Sequence, residues 1–370
     1  MKTILHIGMP KTGTTALQDC LRASRPYLAE RGILYPQNPP GCSFNNHRML
    51  VFGFLPFEKL PRHIRSHKQY TKENYLEKHE EFLEFLYDQA AQTRPTCMIL
   101  SSETLFGSLN AAGRRALPEA LRPLGERITV AAYLRQPSEH YVSGLQQRLR
   151  QSSDLGLVKA PLFMRHLRRY VEAFGKEAVV PRVYERSALR NGDIIDDFLG
   201  THLAEAPVDL AKLTRKAGGN TSLSAESMDL MRRYRRAFHR GADDVSTSDS
   251  TGLVRALRRS DQATGAGKPR LRPEVAEFID YSWSDPLRLR DEYGIVFPRL
   301  DYRRLERRWL PWLPRLPRRP RSLSALVVID ASIQRDILEH LRGSRWAQES
   351  PERGAWIADQ LQASSGRARP

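Results

Sequence analysis

A glycine-bounded loop near the N-terminus constrains the fold of this 370-residue chain more than any other feature. The β-branched and apolar residues in the run at 2–7 predict a strand that leads into it. Gly8 and Gly13 allow backbone angles that other residues rarely adopt. Thr14 or Thr15 can cap the helix that follows. A strand, a tight loop and a helix in this order form a binding site for a phosphate-like oxyanion, because backbone N–H groups at the helix start lack partners within the helix.

The position of the lysine distinguishes this loop from that of a nucleotide-hydrolysing P-loop. A P-loop reads G-x-x-x-x-G-K-[S/T], so that its lysine follows the second glycine and its hydroxyl holds magnesium. In this chain Thr14 follows the second glycine, and the lysine stands inside the loop as Lys11. The sequence therefore disfavours metal-assisted chemistry on a γ-phosphate, and we predict no metal site.

The string Pro10-Lys11-Thr12-Gly13-Thr14-Thr15 resembles the 5′-phosphosulfate loop of sulfotransferases that use 3′-phosphoadenylyl sulfate (PAPS). The resemblance implies that PAPS is the co-substrate, that 3′,5′-phosphoadenosine (PAP) is the product and that no metal is required. It also implies that Lys11 is a catalytic residue that stabilises the leaving phosphate. Backbone and hydroxyl donors around the 5′-phosphate would come from Thr12, Gly13, Thr14 and Thr15.

Three later apolar runs, at 96–100, 128–134 and 178–184, have the length and composition of buried parallel strands. Helical patterns separate them, and this alternation predicts an α/β fold with a central parallel sheet. Polar residues follow the first two runs closely, with Glu103 after one and Arg135 after the other. Since functional residues of open α/β sheets gather at the carboxyl ends of strands, we expect both side chains at the functional edge of the sheet.

A second part of the resemblance lies around Arg135. The string Leu134-Arg135-Gln136-Pro137, followed by Ser143, is similar to the family motif for the 3′-phosphate of PAPS, in which a helix serine comes eight residues after a strand-end arginine. An arginine fork and a serine hydroxyl both suit phosphate oxygens. With residues 182–185 and 196–199, the resemblance covers about residues 1–235 and implies a three-layer α/β/α fold with P-loop NTPase-like, sulfotransferase topology.

A third similarity concerns Arg215 and Lys216. Together with Gly218 they resemble the Arg-Lys-Gly loop that closes over the 3′-phosphate in many sulfotransferases, with one residue inserted before the glycine. An exposed basic turn ahead of a helix explains the same residues equally well.

Sulfuryl transfer also requires a group that takes a proton from the attacking oxygen or nitrogen. We predict that Glu103 is this base, with His47 as the alternative in a polar loop at 37–48 that is long enough to line a substrate cleft. Glu103 occupies the place where similar cytosolic sulfotransferases have a Thr-His pair whose histidine is the base, and glycan sulfotransferases of this kind use a carboxylate. A purely structural role for Glu103, as a partner of Lys11 or of loop N–H groups, is the competing interpretation.

The charge balance favours anionic partners without selecting among them. The chain has 59 Lys and Arg against 42 Asp and Glu, which gives a formal charge of +17. A basic run at 303–321 is a candidate for peripheral membrane or polyanion contact, and equally for a solvated basic face. Three scattered cysteines, no apolar leader and no long apolar run together predict a cytoplasmic protein.

The sequence predicts four regions along the chain. Residues 1–236 form a sulfotransferase-like α/β core with the PAPS site, and 237–268 form a flexible excursion rich in Ser, Asp, Gly and Thr. Residues 269–362 form a helical, basic C-terminal extension, and 363–370 form a disordered tail.

These observations predict a PAPS-dependent sulfotransferase whose acceptor is a hydroxyl or amine, with a carbohydrate or a small hydroxyl compound as the expected substrate. Two other classes stay open: a P-loop nucleotide kinase-like phosphotransferase, and a non-catalytic protein that binds polyanions or nucleic acid. The first would depend on magnesium. The second lacks a recognisable nucleic-acid-reading motif, so we predict no specific nucleic-acid partner. No oligomeric state is predicted.

Overall fold

A five-stranded sheet forms the centre of an α/β fold in the computed structural model, which describes residues 1–42, 44–125, 127–205, 208–215, 222–307 and 319–365. The strands are β1 (Lys2–His6), β2 (Ile33–Leu34), β3 (Cys97–Ser101), β4 (Arg127–Leu134) and β5 (Val179–Val183). All neighbouring strands run parallel, in the order β2-β3-β1-β4-β5. The predicted α/β fold with a central parallel sheet is confirmed.

The described helices are numbered in chain order. They are α1 (Thr14–Ala23), α2 (Arg25–Ala29), α3 (Arg62–Arg65), α4 (Tyr75–Thr93), α5 (Leu105–Ser108), α6 (Gly113–Leu121), α7 (Pro137–Leu149), α8 (Phe163–Phe174), α9 (Ile194–His202), α10 (Ala225–Phe238), α11 (Ser248–Thr264), α12 (Pro273–Tyr281), α13 (Asp285–Tyr293), α14 (Tyr302–Glu306), α15 (Ala331–Arg342), α16 (Arg345–Gln348) and α17 (Pro351–Ser365).

The strands are apolar on both sides of the sheet, which explains why both sides are covered. Ile4 and Ile99 belong to one buried cluster with residues of α1 and α9. Leu5 and Leu100 point to the other side, because successive side chains of a strand alternate, and they are also fully buried. Burial of each such side chain contributes about 1.5–3 kcal/mol. Coverage of both sides is what a three-layer α/β/α arrangement requires.

The central strand β1 lies between β3 and β4. The chain goes from β1 to β2 at one edge and later crosses to β4 and β5 on the other side, so the strand order changes direction at β1. Ligands of open α/β sheets bind outside the carboxyl ends of the strands at such a point. His6 at the end of β1 is paired with Ser101 at the end of β3, and this register brings the loop after β1 close to Glu103.

The chain divides into two compact units, and the division differs from the predicted boundary at residue 236. The first unit, which contains the sheet, consists of Met1–Gln136, Leu162–Gly219 and Ser284–Glu306. The second unit consists of Pro137–Pro161, Asn220–Trp283 and Arg307–Pro370. Residues 137–161 of the predicted core thus belong to the second unit, and residues 284–306 of the predicted extension belong to the first.

The second unit has an apolar core of its own. Leu145 of α7, Met228 of α10, Leu257 of α11 and Leu338 of α15 are buried in one cluster. Because each of these helices contributes one apolar face, the unit buries a core without the help of a sheet.

The segment 237–268, which we predicted to be a flexible excursion, contains the 17-residue helix α11. Thr247 caps this helix, since its side chain accepts a hydrogen bond from the Ser250 N–H, and Leu253 and Leu257 are buried. The polar residues that indicated a loop include this cap and the first turn, where Ser, Thr and Asp are favoured. The segment is therefore an ordered part of the second unit rather than a flexible excursion.

The predicted C-terminal extension at 269–362 contains α12 to α16 and most of α17. Residues 308–318 of the basic run and residues 366–370 of the predicted tail lie outside the described residues. Among the described helices, none has the length and the apolar character needed to cross a membrane.

Candidate active site

The loop between β1 and α1 contains three residues with left-handed backbone angles. The φ angle is +55° at Gly8, +74° at Lys11 and +74° at Gly13. The buried side chain of Thr12 fixes the loop, since its Oγ1 donates a hydrogen bond to the Met9 carbonyl at 2.6 Å. The left-handed conformation costs a lysine about 1–2 kcal/mol, and strain of this kind is typical of functional loops.

A Cβ atom at either end of the loop would crowd neighbouring side chains. Such an atom at Gly8 would lie 2.7 Å from the Thr14 methyl group, and one at Gly13 would lie 3.0 Å from the Tyr184 hydroxyl. Gly13 is also the N-cap of α1, which has no side-chain cap and no acidic residue in its first turn. The N–H groups of that turn therefore keep their capacity to bind an anion, which the helix dipole favours.

The loop residues that are predicted to bind the oxyanion differ in the exposure of their side chains. Thr15 is exposed and Lys11 is half-buried, so solvent reaches both side chains. Thr12 and Thr14 are 0% and 6% exposed. The side chains of these two residues pack inside the protein. Only their backbone N–H groups can bind a ligand.

Glu103 follows β3 and packs directly beside the loop, because a Cβ atom at Gly8 would lie 3.4 Å from both the Cα and the Cβ of Glu103. Gln18 Nε2 and Asn46 Nδ2 each donate a hydrogen bond to Glu103 Oε2 at 3.1 Å. The Arg48 guanidinium lies 3.6 Å from Oε1. The side chain of Glu103 is 28% exposed, so a substrate can reach the carboxylate.

The two carboxylate oxygens of Glu103 therefore have different surroundings. Oε2 accepts two amide hydrogen bonds, whereas the described contact of Oε1 is the longer approach of Arg48. Since a proton acceptor needs a free lone pair, Oε1 is the oxygen better placed to receive a proton. The arrangement thus orients the carboxylate and distinguishes one oxygen from the other.

A buried chain of hydrogen bonds holds Gln18 in place. Gln18 Nε2 also donates to Ser101 Oγ at 3.0 Å, and Ser101 Oγ lies 2.8 Å from His6 Nδ1. Burial, followed by the nearby His202, lowers the pKa of His6 to about 3, so its neutral ring can accept the Ser101 hydroxyl proton in a hydrogen bond. Both N–H donors of the Gln18 amide are thereby used, and its orientation is fixed.

His47, the predicted alternative base, is buried and bonded to the backbone through both ring nitrogens. Its Nδ1 accepts a hydrogen bond from the Ser101 N–H at 2.9 Å, so Nε2 carries the proton and donates to the Pro36 carbonyl at 3.1 Å. The ring is 1% exposed, and burial lowers its pKa to about 4. Because both nitrogens bond to the backbone and no substrate can reach them, this placement does not support His47 as the base. It anchors the loop at 37–48 to β3.

Arg135 directly follows β4 in the first unit, whereas Ser143 lies on α7 in the second unit. Burial raises the pKa of Tyr184, and the charge of Arg135 partly offsets this effect, which places Arg135 near Tyr184. Tyr184 in turn approaches Gly13, so Arg135 lies at the same edge of the sheet as the loop. Ser143 is half-buried. The joint binding of a phosphate by Arg135 and Ser143 stays a prediction.

Arg215 is engaged by two carboxylates of the first unit. It forms an ion pair with Asp196, and it lies 3.3 Å from Asp193, whose side chain caps α9. These contacts dock the segment that carries Arg215 onto α9 and agree with a structural role. The carboxylates of Asp196 and Asp193 would compete with a phosphate for the Arg215 guanidinium. Lys216 lies outside the described residues.

Two open clefts meet at Glu103 and Arg48. The polar cleft is lined by Thr15, Gln18, Asp19, Phe44, Asn45, Asn46, Arg48, His67 and Glu103. The loop cleft is lined by Pro10, Arg48, Pro61, Glu103, Thr104, Gly107 and Ser108. Because Glu103 lines both clefts, a molecule in either of them is within reach of the carboxylate.

Gln18, Asn46 and Arg48 are site residues whose role the sequence did not reveal. Gln18 lies four positions after Thr14 on α1, so both face the same side of the helix, and this spacing was an available signal. Asn46 and Arg48 belong to the polar loop at 37–48, which was expected to line a cleft. That expectation agrees with the lining of the polar cleft.

No protein-family model, no curated protein and no solved structure matches this chain. In the described part of the chain, no group of three or more His, Cys, Asp and Glu side chains is arranged to hold a metal ion.

Proposed function

We propose that this protein is a PAPS-dependent sulfotransferase, which transfers a sulfuryl group to a hydroxyl or amine of an acceptor and releases PAP. One observation carries the proposal: a loop with three left-handed residues, one of which is its lysine, packs against an accessible and oriented carboxylate. The central strand β1, which leads into this loop, supports a P-loop NTPase-like, sulfotransferase topology.

The loop has an uncovered backbone and hydrogen-bond donors that suit a phosphosulfate. A side chain at Gly8 would meet the Thr14 methyl group and one at Gly13 would meet Tyr184, so glycine leaves the backbone uncovered at both ends of the loop. The start of α1 offers N–H groups without a side-chain cap, and Lys11 adds a positive charge. When bound, PAPS supplies the activated sulfuryl group.

We assign separate roles in the reaction to Lys11, Glu103 and Arg135. Lys11 and the first N–H groups of α1 would stabilise the negative charge that develops on the leaving phosphate. Glu103 Oε1 would accept the proton of the attacking hydroxyl, while Gln18 and Asn46 hold the carboxylate through Oε2. Arg135 remains the proposed ligand of the 3′-phosphate in the first unit.

The polar cleft favours an uncharged, hydroxyl-rich acceptor. Its two carboxylates have basic partners, since Asp19 lies 2.8 Å from Arg22 and Glu103 lies 3.6 Å from Arg48. The side chain of Asn45 adds amide donor and acceptor capacity to the lining. We therefore propose a carbohydrate or a small hydroxyl compound as the acceptor.

The test is transfer of labelled sulfate from PAPS to a panel of neutral saccharides, acidic saccharides and small alcohols. We expect transfer to at least one neutral member of the panel, with no loss of rate in a metal chelator. Phosphate transfer from ATP that requires magnesium would support the phosphotransferase class instead. Binding of nucleic acid that falls steeply with salt, without any transfer, would support the polyanion-binding class. Either result without sulfate transfer would overturn the proposal.

A further inference from the structure

Arg48 is held in a fixed orientation beside the carboxylate of Glu103. Its Nε donates a hydrogen bond to Asn46 Oδ1 at 2.8 Å, and its guanidinium carbon lies 4.8 Å from the centre of the Phe44 ring. Phe44 in turn stacks on Tyr70, with ring centres 4.9 Å apart. The Arg48 side chain is 17% exposed. An amide and an aromatic ring therefore orient the guanidinium, whose other N–H donors are on its terminal nitrogens.

The spacing of Arg48 and Glu103 suits an oxygen atom that is bound by both. Nη2 of Arg48 lies 3.6 Å from Glu103 Oε1, which is longer than the about 2.7–3.2 Å of a direct hydrogen bond. One oxygen can lie about 2.8 Å from both atoms, since their separation is less than twice that distance. Both residues line the polar cleft and the loop cleft, so an oxygen in this position can be reached from either cleft.

A hydroxyl group matches the hydrogen-bonding capacity of this pair. Its oxygen has two lone pairs and one proton. One lone pair would accept a hydrogen bond from Arg48 Nη2, the other would attack sulfur, and the proton would pass to Glu103 Oε1. The new oxygen–sulfur bond forms as the bond between sulfur and the bridging oxygen breaks, and that oxygen leaves with the electron pair as part of PAP.

An amine does not match the same pair. A neutral amine nitrogen has one lone pair, so the pair that attacks sulfur cannot also accept a hydrogen bond from Arg48. An alkyl amine with a pKa of about 10.4 is mostly protonated at neutral pH and then has no lone pair. Its positive charge is also repelled by the guanidinium. Arg48 therefore favours a hydroxyl over both forms of an amine.

We propose that Arg48 is an acceptor-binding residue, which holds the acceptor oxygen together with Glu103 and selects a hydroxyl over an amine. This inference rests on the proposed sulfotransferase activity and narrows its product to a sulfate ester. In the competing interpretation Arg48 only neutralises and supports Glu103, and its loss would then affect both kinds of acceptor equally.

Two acceptors with the same skeleton test the proposal. One is a neutral saccharide that accepts sulfate in the panel, and the other carries an amino group in place of the sulfated hydroxyl. Arg48→Met has an unbranched side chain without donors or charge. It should lower kcat/KM for the hydroxyl by about 10–100-fold, which is the usual effect of losing a hydrogen bond to a charged group, without lowering it for the amine.

Calorimetry on the full-length protein with PAP bound gives a second measurement that needs no turnover. In Arg48→Met the Kd of the saccharide should rise, and the Kd of the amino analogue should fall because the repelling charge is gone. Arg48→Gln is the second variant, since a polar side chain suits the half-buried position, and it should shift both Kd values in the same directions. The affinity for PAP itself should not change in either variant, because the loop is held by its own contacts.

The matched control is Arg22→Met. Arg22 also pairs with a carboxylate of the polar cleft, that of Asp19 at 2.8 Å, but it lies outside the lining of both clefts. The ratio of the two kcat/KM values should therefore stay unchanged in this variant.

Three results would contradict the reasoning in different ways. Equal changes for the saccharide and its amino analogue in the Arg48 variants would overturn the role of Arg48 and leave the sulfotransferase proposal standing. An unchanged kcat/KM and Kd for the saccharide would do the same. Absence of sulfate transfer to any acceptor by the unmutated protein would instead overturn the proposed function, and the role of Arg48 with it.

Discussion

The substitution Glu103→Gln separates a chemical role of this residue from a structural one. Glutamine has the same shape, and its carbonyl oxygen can still accept the hydrogen bonds of Gln18 and Asn46. The change removes the charge near Arg48, but this ion pair is 3.6 Å long and partly exposed, so it contributes about 1 kcal/mol or less. We expect the free energy of unfolding to fall by no more than that amount.

Loss of the proton acceptor should nevertheless lower kcat by about 10²–10⁴-fold, which is the usual contribution of a general base. Transfer of labelled sulfate from PAPS measures kcat, and calorimetry measures PAP affinity, which should not change. The matched control is Asp19→Asn, since Asp19 also lines the polar cleft but pairs with Arg22, and its kcat should stay normal. Normal turnover by Glu103→Gln would refute the assignment. Equal losses of turnover and PAP affinity would show that Glu103 organises the loop instead.

Four further predictions concern Lys11 and Gly13 of the loop, Gln18 of α1 and the buried histidines. Lys11→Ala should lower kcat by about 10²-fold or more, because one preorganised donor to a developing charge contributes about 3 kcal/mol; a nearly normal kcat would remove Lys11 from the mechanism. Gly13→Ala should lower the free energy of unfolding by about 1–2 kcal/mol, because φ is +74° there; an unchanged urea midpoint would contradict this. Gln18→Met removes both amide donors, so kcat should fall about tenfold at unchanged PAP affinity; equal kcat values would show that Gln18 does not orient the base. Finally, His6 and His47 have pKa values of about 3 and about 4 in the folded protein and 6.5 when unfolded. The unfolded chain therefore binds more protons below pH 6.5, and each histidine should reduce stability by about 1.4 kcal/mol per pH unit as the pH falls toward 4. Denaturation in guanidinium at pH 7, 6 and 5 measures this slope, and a flat profile would contradict it.

The strands β3, β4 and β5 were predictable because each coincides with a short run of mostly apolar residues. The run predicted at 128–134 corresponds to β4 at Arg127–Leu134. The helix α11 was missed because its cap and first turn consist of the residue types that also form loops. The division into two units was not predictable from local patterns, since α7 follows β4 closely in the sequence and yet belongs to the second unit.

The candidate site was predictable only where it is local in the sequence. The loop could be located because its glycines, lysine and threonines are consecutive. The surroundings of Glu103 could not, because the hydrogen bonds from Gln18 and Asn46 span 85 and 57 positions. A histidine in a polar loop can be a base or an anchor, and for His47 the bond from the Ser101 N–H favours the anchor.

Two separate sets of interactions therefore build the site. The loop is held locally, by its left-handed angles and by the bond from Thr12 to the Met9 carbonyl. The carboxylate of Glu103 is held by residues that are distant in the sequence. A series of hydrogen bonds runs from His6 of β1 and Ser101 of β3 through Gln18 to this carboxylate. Loss of the Lys11 charge would therefore leave the hydrogen bonds that orient Glu103 in place, and loss of those bonds would leave the loop in place. The two sets meet at Gly8, where the absence of a side chain lets the loop backbone pack directly against Glu103.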